Sequence, residues 1–436
     1  MTGSQLRLRS HHDREIFRLA TPALGALAAE PLYVLADTAI VGHLGRTPLA
    51  GLGAAATALG TIAMFNFVQY GTTAQVARAA GAGERGIANR LGAQALWLSL
   101  AIGVVLAIGF GVFAGPVIQL VGVEGRSAEL GETYLRIVAL GLPSVFVALG
   151  TQGYLRGIDR LRGPVVILVL GNIANVALEL VLVYGLDLGI RGSAWGTAIA
   201  QTGMGAAFAI ATLRTIGPER RLDLVLARRL LAFGKYVLIR TTSLIAALFV
   251  AGAVAARLGD AELGAYQISF QVWLFLALVL DAVAIAGQVI IGRELGAGRA
   301  DDAYAAGARI VALAVATGAV FTVLLLVFDD LLPRAFADDP SVLRQCALLW
   351  PVFALMQPLN GAVFALDGIL IGASDGPFIA GSMIVSFAVC VSTALVASSL
   401  DWGVRGVWLA LLALILTRLM FMGGRFRRRG WLVTGW

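Results

Sequence analysis

Asp187-Leu-Gly-Ile-Arg191-Gly192 recurs about 215 residues later as Asp401-Trp-Gly-Val-Arg405-Gly406. Other pairs keep the same order and a similar offset. Leu44-Gly45 returns as Leu258-Gly259, and Arg78-x-x-Gly81-Ala-Gly83 as Arg293-x-x-Gly296-Ala-Gly298. Pro143, Gly153 and Gly157 match Pro358, Gly368 and Gly372, and Gly163-Pro164 matches Gly376-Pro377. Proline restricts the backbone, and glycine admits turns and close approaches closed to other residues. Their ordered return therefore predicts two halves that fold alike.

The medium in which they fold follows from composition. The chain has 436 residues, 59% of them hydrophobic, only 14% charged, and 53 are glycine. A soluble globular chain carries about 25% charged residues. Small residues in such numbers suit helices packed in lipid, where backbones approach closely. Hydrophobic stretches of about 20 or more residues recur twelve times. They lie near 16–41, 48–77, 91–120, 131–155, 164–186, 193–214, 230–256, 263–292, 304–328, 343–370, 377–400 and 402–423. Lipid offers the backbone no partners, so the spans must be helices. The fold class is an all-α polytopic membrane protein, with twelve transmembrane helices in two pseudo-symmetric six-helix bundles.

Six spans per half make both halves enter the membrane in one direction, as parallel repeats related by an axis along the membrane normal. Arginines orient the chain. Arg7, Arg9, Arg14 and Arg18, the groups around Arg78–Arg90, Arg156–Arg162, Arg214–Arg229 and Arg293–Arg309, and Arg425–Arg429 share one side. That excess predicts both termini in the cytoplasm. The expected divisions are a cytoplasmic segment 1–15, an N-lobe 16–214, a connector 215–229, a C-lobe 230–423 and a basic tail 424–436. Residues 1–15 are polar, and the apolar run from Ile16 is too long for a cleavable signal. The net charge of +7 reads as this topology rather than as nucleic-acid binding, since no base-reading motif accompanies it. Cys346 and Cys390 both lie in apolar stretches and are expected to be free thiols.

A charge in the middle of a bilayer costs at least roughly 2.5–3.5 kcal/mol, so it faces a cavity or a partner. Glu30 and Asp37 in the first span, Glu179 in the fifth, and Arg240, Asp281 and Asp367 in the seventh, eighth and tenth are such residues. A buried structural pair or a snorkelling group is the plain alternative for each. Glu30, Tyr33 and Asp37 are spaced to share one helical face. Asn172, Asn175 and Glu179 follow the same spacing in the fifth span, and Glu179 reaches a depth similar to that of Asp37. Two carboxylates with Tyr and Asn between them predict one hydrogen-bonded site able to take up and release a proton, with sodium as a possible occupant. The C-lobe differs: Asp37 and Glu179 have no acidic counterparts there, and the similar depths of Arg240 and Asp281 allow a bridge between them.

No G-x-x-x-x-G-K-[ST] loop is present to use ATP, no Cys/His cluster to hold a metal, and no nucleophile–base pair. An enzyme is not expected, and neither is a cofactor.

Leu35-Ala-Asp37-Thr-Ala-Ile-Val-Gly-His-Leu-Gly45, Gly153-Tyr-Leu-Arg-Gly157, Asn172-Ile-x-Asn175-x-x-x-Glu179, Leu238-Ile-Arg240-Thr and Leu366-Asp-Gly-x-x-Ile-Gly372 resemble the multidrug and toxic compound extrusion (MATE) family, and within it the DinF-like branch. The resemblance runs from about Ile16 to about Gly423. It implies export of small molecules coupled to inward H+ or Na+ flow, with Asp37 as the first-helix coupling acid and Tyr33 one turn before it. Asn175 and Glu179 fall where the family has Asn-x-x-x-Asp, so Glu179 keeps the charge on a longer arm. Asp367 matches a C-lobe acid tied to cation binding in other branches, and Arg240 in the seventh helix favours protons over sodium. The expected function is a secondary efflux antiporter for amphipathic, cationic compounds, monomeric, in the cell (inner) membrane. A flippase for lipid-linked precursors and an organic-anion exporter are the alternatives.

Overall fold

The computed structural model describes residues 3–436, with side chains from His12 onward. Arg7, Arg9 and His11 lie outside the described side chains. Every predicted span falls on a helix, and no strand occurs among the described residues. Among the described residues, nine helices are individually long and apolar enough to cross a bilayer. Two further spans are bent pairs: Gly125–Ala139 with Leu142–Gly157, bent by 52°, and Pro340–Leu355 with Gln357–Gly372, bent by 49°. The remaining predicted span, 193–214, lies within the 27-residue helix Ile190–Ile216. Ser193, Thr197, Gln201 and Thr202 dilute its hydropathy.

The chain forms two compact units. One gathers Gly25–Gly234; the other gathers Lys235–Trp436 together with the residues up to Leu24. The first helix, Gly3–Gly42, thus contributes its two ends to different units.

The repeated residues explain why the units are built alike. Pro143 and Pro358 each stand at the start of the second limb of a bent span. Each lacks the N–H that would continue the preceding turn, so the helix breaks at the same place in both halves. Gly153 and Gly157 then press that limb onto the second span, Arg46–Gly81. A Cβ on Gly153 would stand 2.6 Å from the Gln69 carbonyl oxygen, and one on Gly157 2.7 Å from Val76. Gly368 and Gly372 do the same against Ala284 and Gln288 of the eighth span, Asp260–Gly296. Each half therefore carries one small-xxx-small backbone contact of the kind that holds helices together in lipid. The turn quoted at the outset also repeats its geometry: Asp187 and Asp401 have φ of 51° and 52°, and Gly189 and Gly403 of 55° and 57°. Left-handed backbone admits Gly, and Asp more readily than most residues, which accounts for their return.

In the unit containing Lys235–Trp436, the twelfth span, Gly403–Arg427, does not end in a free tail. Trp431 is fully buried and stacks on Phe426 with 5.4 Å between centroids, and Phe426 stacks on Tyr304 at 5.0 Å. The Arg429 guanidinium sits 4.1 Å above the Tyr304 ring, and the Gly435 N–H donates to Leu295 O at 2.9 Å. At the same arginine-rich end, Asp13 pairs with Arg309 through two contacts of 2.6 and 2.8 Å, and Glu15 with Arg293 at 2.7 Å.

Candidate coupling site

The site lies wholly within Gly25–Gly234. Four spans supply it: Tyr33 and Asp37 from the first, Tyr134 from the fourth, Asn175 and Glu179 from the fifth, and Ser193 and Thr197 from the sixth. Asp37 is buried and accepts two hydroxyl hydrogen bonds, from Ser193 at 2.5 Å and from Tyr134 at 3.0 Å. Glu179, fully buried, accepts from Thr197 at 3.2 Å. Thr197 has spent its only proton on that bond, so its two lone pairs take the Tyr33 hydroxyl at 3.1 Å and the Asn175 amide at 3.5 Å. Thr197 is thus fully satisfied and ties three other side chains together. Asp37 and Glu179 also fall within hydrogen-bonding reach of each other. Glu179 Oε2 has no donor among the described residues. A proton held between the two carboxyls would supply one.

The longer arm of glutamate fits because the sixth span is bare where it passes. A Cβ on Gly196 would meet Glu179 Cγ at 2.8 Å, and one on Gly192 the Leu182 backbone at 2.7 Å. Those two glycines bring the fifth and sixth spans into backbone contact, and Glu179 lies flat against the gap.

A cavity of about 220 Å³ adjoins the cluster, and Tyr33 and Asn175 line both. Its polar lining includes Glu30, Gln69, Gln152 and Arg156. Glu30 is exposed there and stands apart from the hydrogen-bonded cluster, although it shares a helical face with Tyr33 and Asp37. Asn172 also lines the cavity, and its amide donates to Ala29 O at 2.8 Å, tying the fifth span to the first.

Lys235–Trp436 holds a different set of charges. Arg240 donates to Asp367, and the fully buried Arg418 lies 3.3 Å from the same carboxylate. Depth alone, which sets Arg240 beside Asp281, does not predict this pairing. Asp281 itself is half-buried on the eighth span.

Sequence spacing brings together Tyr33, Asp37, Asn175 and Glu179, as the structure does. It misses Tyr134, Ser193, Thr197 and Arg418. Ser193 and Thr197, four apart on one helix, are the signal that was available.

Two repeated helical lobes, each with buried charges, define a multi-pass membrane transporter. The chain belongs to the MatE family, whose model matches residues 22–181 and 239–396, once in each half. It is 30% identical to Protein DETOXIFICATION 45, chloroplastic, of Arabidopsis thaliana, over 97% of this chain and 79% of that protein. It is 29% identical to DNA damage-inducible protein F of Escherichia coli, over 95% of this chain and 92% of that one. A MATE transporter crystallised in a bent conformation superposes with a TM-score of 0.89 at 20% identity, covering 99% of this chain and 98% of that one. The last likeness concerns the fold.

Proposed function

We propose that this transporter is a proton-coupled exporter of amphipathic, cationic small molecules, working by alternating access of an N-lobe (16–214) and a C-lobe (230–423) joined by the connector 215–229. The observation that carries the reading is the pairing of Asp37 and Glu179 in one hydrogen-bonded cluster whose Tyr33 and Asn175 also wall the cavity. When both carboxyls are charged, the cluster favours a cation in the cavity. A proton entering between them neutralises one of the two charges, weakens that attraction and reorders the Thr197 hydrogen bonds, which releases the substrate. One inward proton supplies about 2.3 kcal/mol per 100 mV of membrane potential, plus about 1.4 kcal/mol per unit of pH gradient.

The reading places the protein as a monomer in the cell (inner) membrane with both termini cytoplasmic, and it needs no cofactor. Arg240 and Arg418, two guanidinium groups on the Asp367 carboxylate, favour organic-anion export as the second reading. The acidic N-lobe cluster argues against a flippase for phosphate-bearing lipids.

The test is efflux from proteoliposomes with pH and sodium gradients imposed separately, against cationic, neutral and anionic compounds. Cation efflux driven by the pH gradient alone, and lost in Asp37→Asn, is the expected result. Efflux by that variant at the wild-type rate, or efflux that requires sodium, refutes the coupling role.

A further inference from the structure

The connector carries a feature that export does not use. Gln94, fully buried in the third span (Arg85–Val112), pins it from both sides. Its amide nitrogen donates to Arg221 O at 2.9 Å, and its oxygen accepts from the Asp223 N–H at 2.9 Å. The Trp97 indole adds a bond to Arg220 O at 3.0 Å. Asp223 in turn caps the next helix, accepting from Val225 N at 3.0 Å and Leu226 N at 3.2 Å, and lies 3.7 Å from Arg90.

This clamp leaves a groove of about 520 Å³ between the third span and the start of the seventh, Leu224–Leu258. Its walls are mostly apolar, with Trp97, Leu98, Ala101, Leu222, Leu224 and Leu231, and Gln94 and Arg228 line it too. Leu222 and Leu224 are more than 60% exposed. Arg221, next to Leu222, and Arg228 are both exposed, and neither forms an ion pair among the described residues. Of the two acids nearest in sequence to Arg221, Asp223 is already engaged by Arg90 and by its capping bonds, and Glu219 is exposed to solvent. A half-exposed Trp beside unpaired arginines on an apolar surface is the composition of a membrane–water boundary.

We propose that this groove binds an anionic phospholipid, with an acyl chain along Leu98 and Ala101 and the headgroup phosphate at Arg221 and Arg228. The lipid braces the connector against the third span beside the Gln94 clamp, which lines the same groove. Charge complementarity selects the occupant: a zwitterionic lipid has the chain and the same phosphodiester, but its ammonium offsets the attraction to the arginines, and a free phosphate ester has the charge but nothing to fill the groove.

The test uses the full-length protein in detergent with dioleoyl phosphatidylglycerol, dioleoyl phosphatidylcholine or glycerol phosphate, read as bound lipid by native mass spectrometry. At about 1 kcal/mol for each arginine near the phosphate, the glycerol lipid should bind about 30-fold more tightly than the choline lipid at low salt. The preference should shrink as salt rises. The double variant R221Q/R228Q should lose it and keep choline-lipid binding. Ala101→Phe should weaken binding of both lipids while leaving the arginines in place. Equal binding of the two lipids by the wild type, an unchanged preference in R221Q/R228Q, or displacement of the lipid by glycerol phosphate would each overturn the proposal. None of these outcomes depends on which ion drives export.

Discussion

Replacing Thr197 by Val removes one hydroxyl and breaks three hydrogen bonds, to Glu179, Tyr33 and Asn175. Tyr33 faces the cavity, where water can take its proton, so its loss is small. The Asn175 amide lines the same cavity, whereas Glu179 Oε1 has no such recourse, because Glu179 is fully buried and does not line it. Orphaning a buried polar group costs about 1–3 kcal/mol, and Glu179 is the one group so orphaned. For a lobe of this size that lowers the melting temperature by roughly 2–12 °C. Efflux driven by a pH gradient should fall as well, since Glu179 loses its only donor hydroxyl. Thr197→Ser keeps the hydroxyl and should restore most of both properties. The assays are a thermal melt in detergent and efflux from proteoliposomes over a range of internal pH. A Thr197→Val protein with wild-type melting and a wild-type pH profile would refute Thr197 as the hub of the cluster.

Three further outcomes are expected. Gly196→Ala should push Glu179 off the sixth span at a cost of about 1–3 kcal/mol, the usual range for overpacking, seen as a lower melting temperature together with reduced efflux. Asp13→Arg and Arg309→Asp should each loosen the arginine-rich end to proteolysis, and the double swap should recover protection. Asp339 caps the helix Pro340–Leu355 by accepting from Ser341, and that contact holds its carboxyl below the usual aspartate range. A lowered folded-state pKa stabilises above the unfolded value, and the gain is lost as pH falls through the folded one. Amide exchange at Ser341 should therefore be faster in Asp339→Ala than in wild type at neutral pH, and the two should converge in strong acid.

The architecture was readable because its determinants are backbone residues. Pro143 and Pro358 break spans, Gly153 and Gly368 allow helices to touch, and Asp187 and Asp401 hold left-handed turns. Each acts through its own geometry, and each is visible in a single chain. The site was readable only along each helix. Periodicity aligns Tyr33 with Asp37 and Asn175 with Glu179, but it does not say which helix lies opposite. Ser193, Thr197 and Tyr134 enter the cluster through tertiary packing, and Thr and Ser are too common in membrane helices to stand out. Arg418 was hidden for the reverse reason. It lies seven residues before the basic run that starts at Arg425, where an arginine reads as a topology signal, whereas the fold carries it inward to Asp367. Glu30 is the residue for which helical phase misleads: it shares the face of Asp37 and yet opens onto the cavity.

The buried carboxyl-terminal segment bears on how the protein is handled in the laboratory. Trp431 and Gly435 are fastened to the body of the molecule, so an affinity tag or fluorescent fusion added after Trp436 would pull on a packed aromatic stack. Purification yields and melting temperatures measured with such a fusion would then report partly on the fusion itself. The same attachment makes the segment a usable sensor. The Trp431 indole, stacked on Phe426, should change its emission when that end of the lobe opens, without any added label.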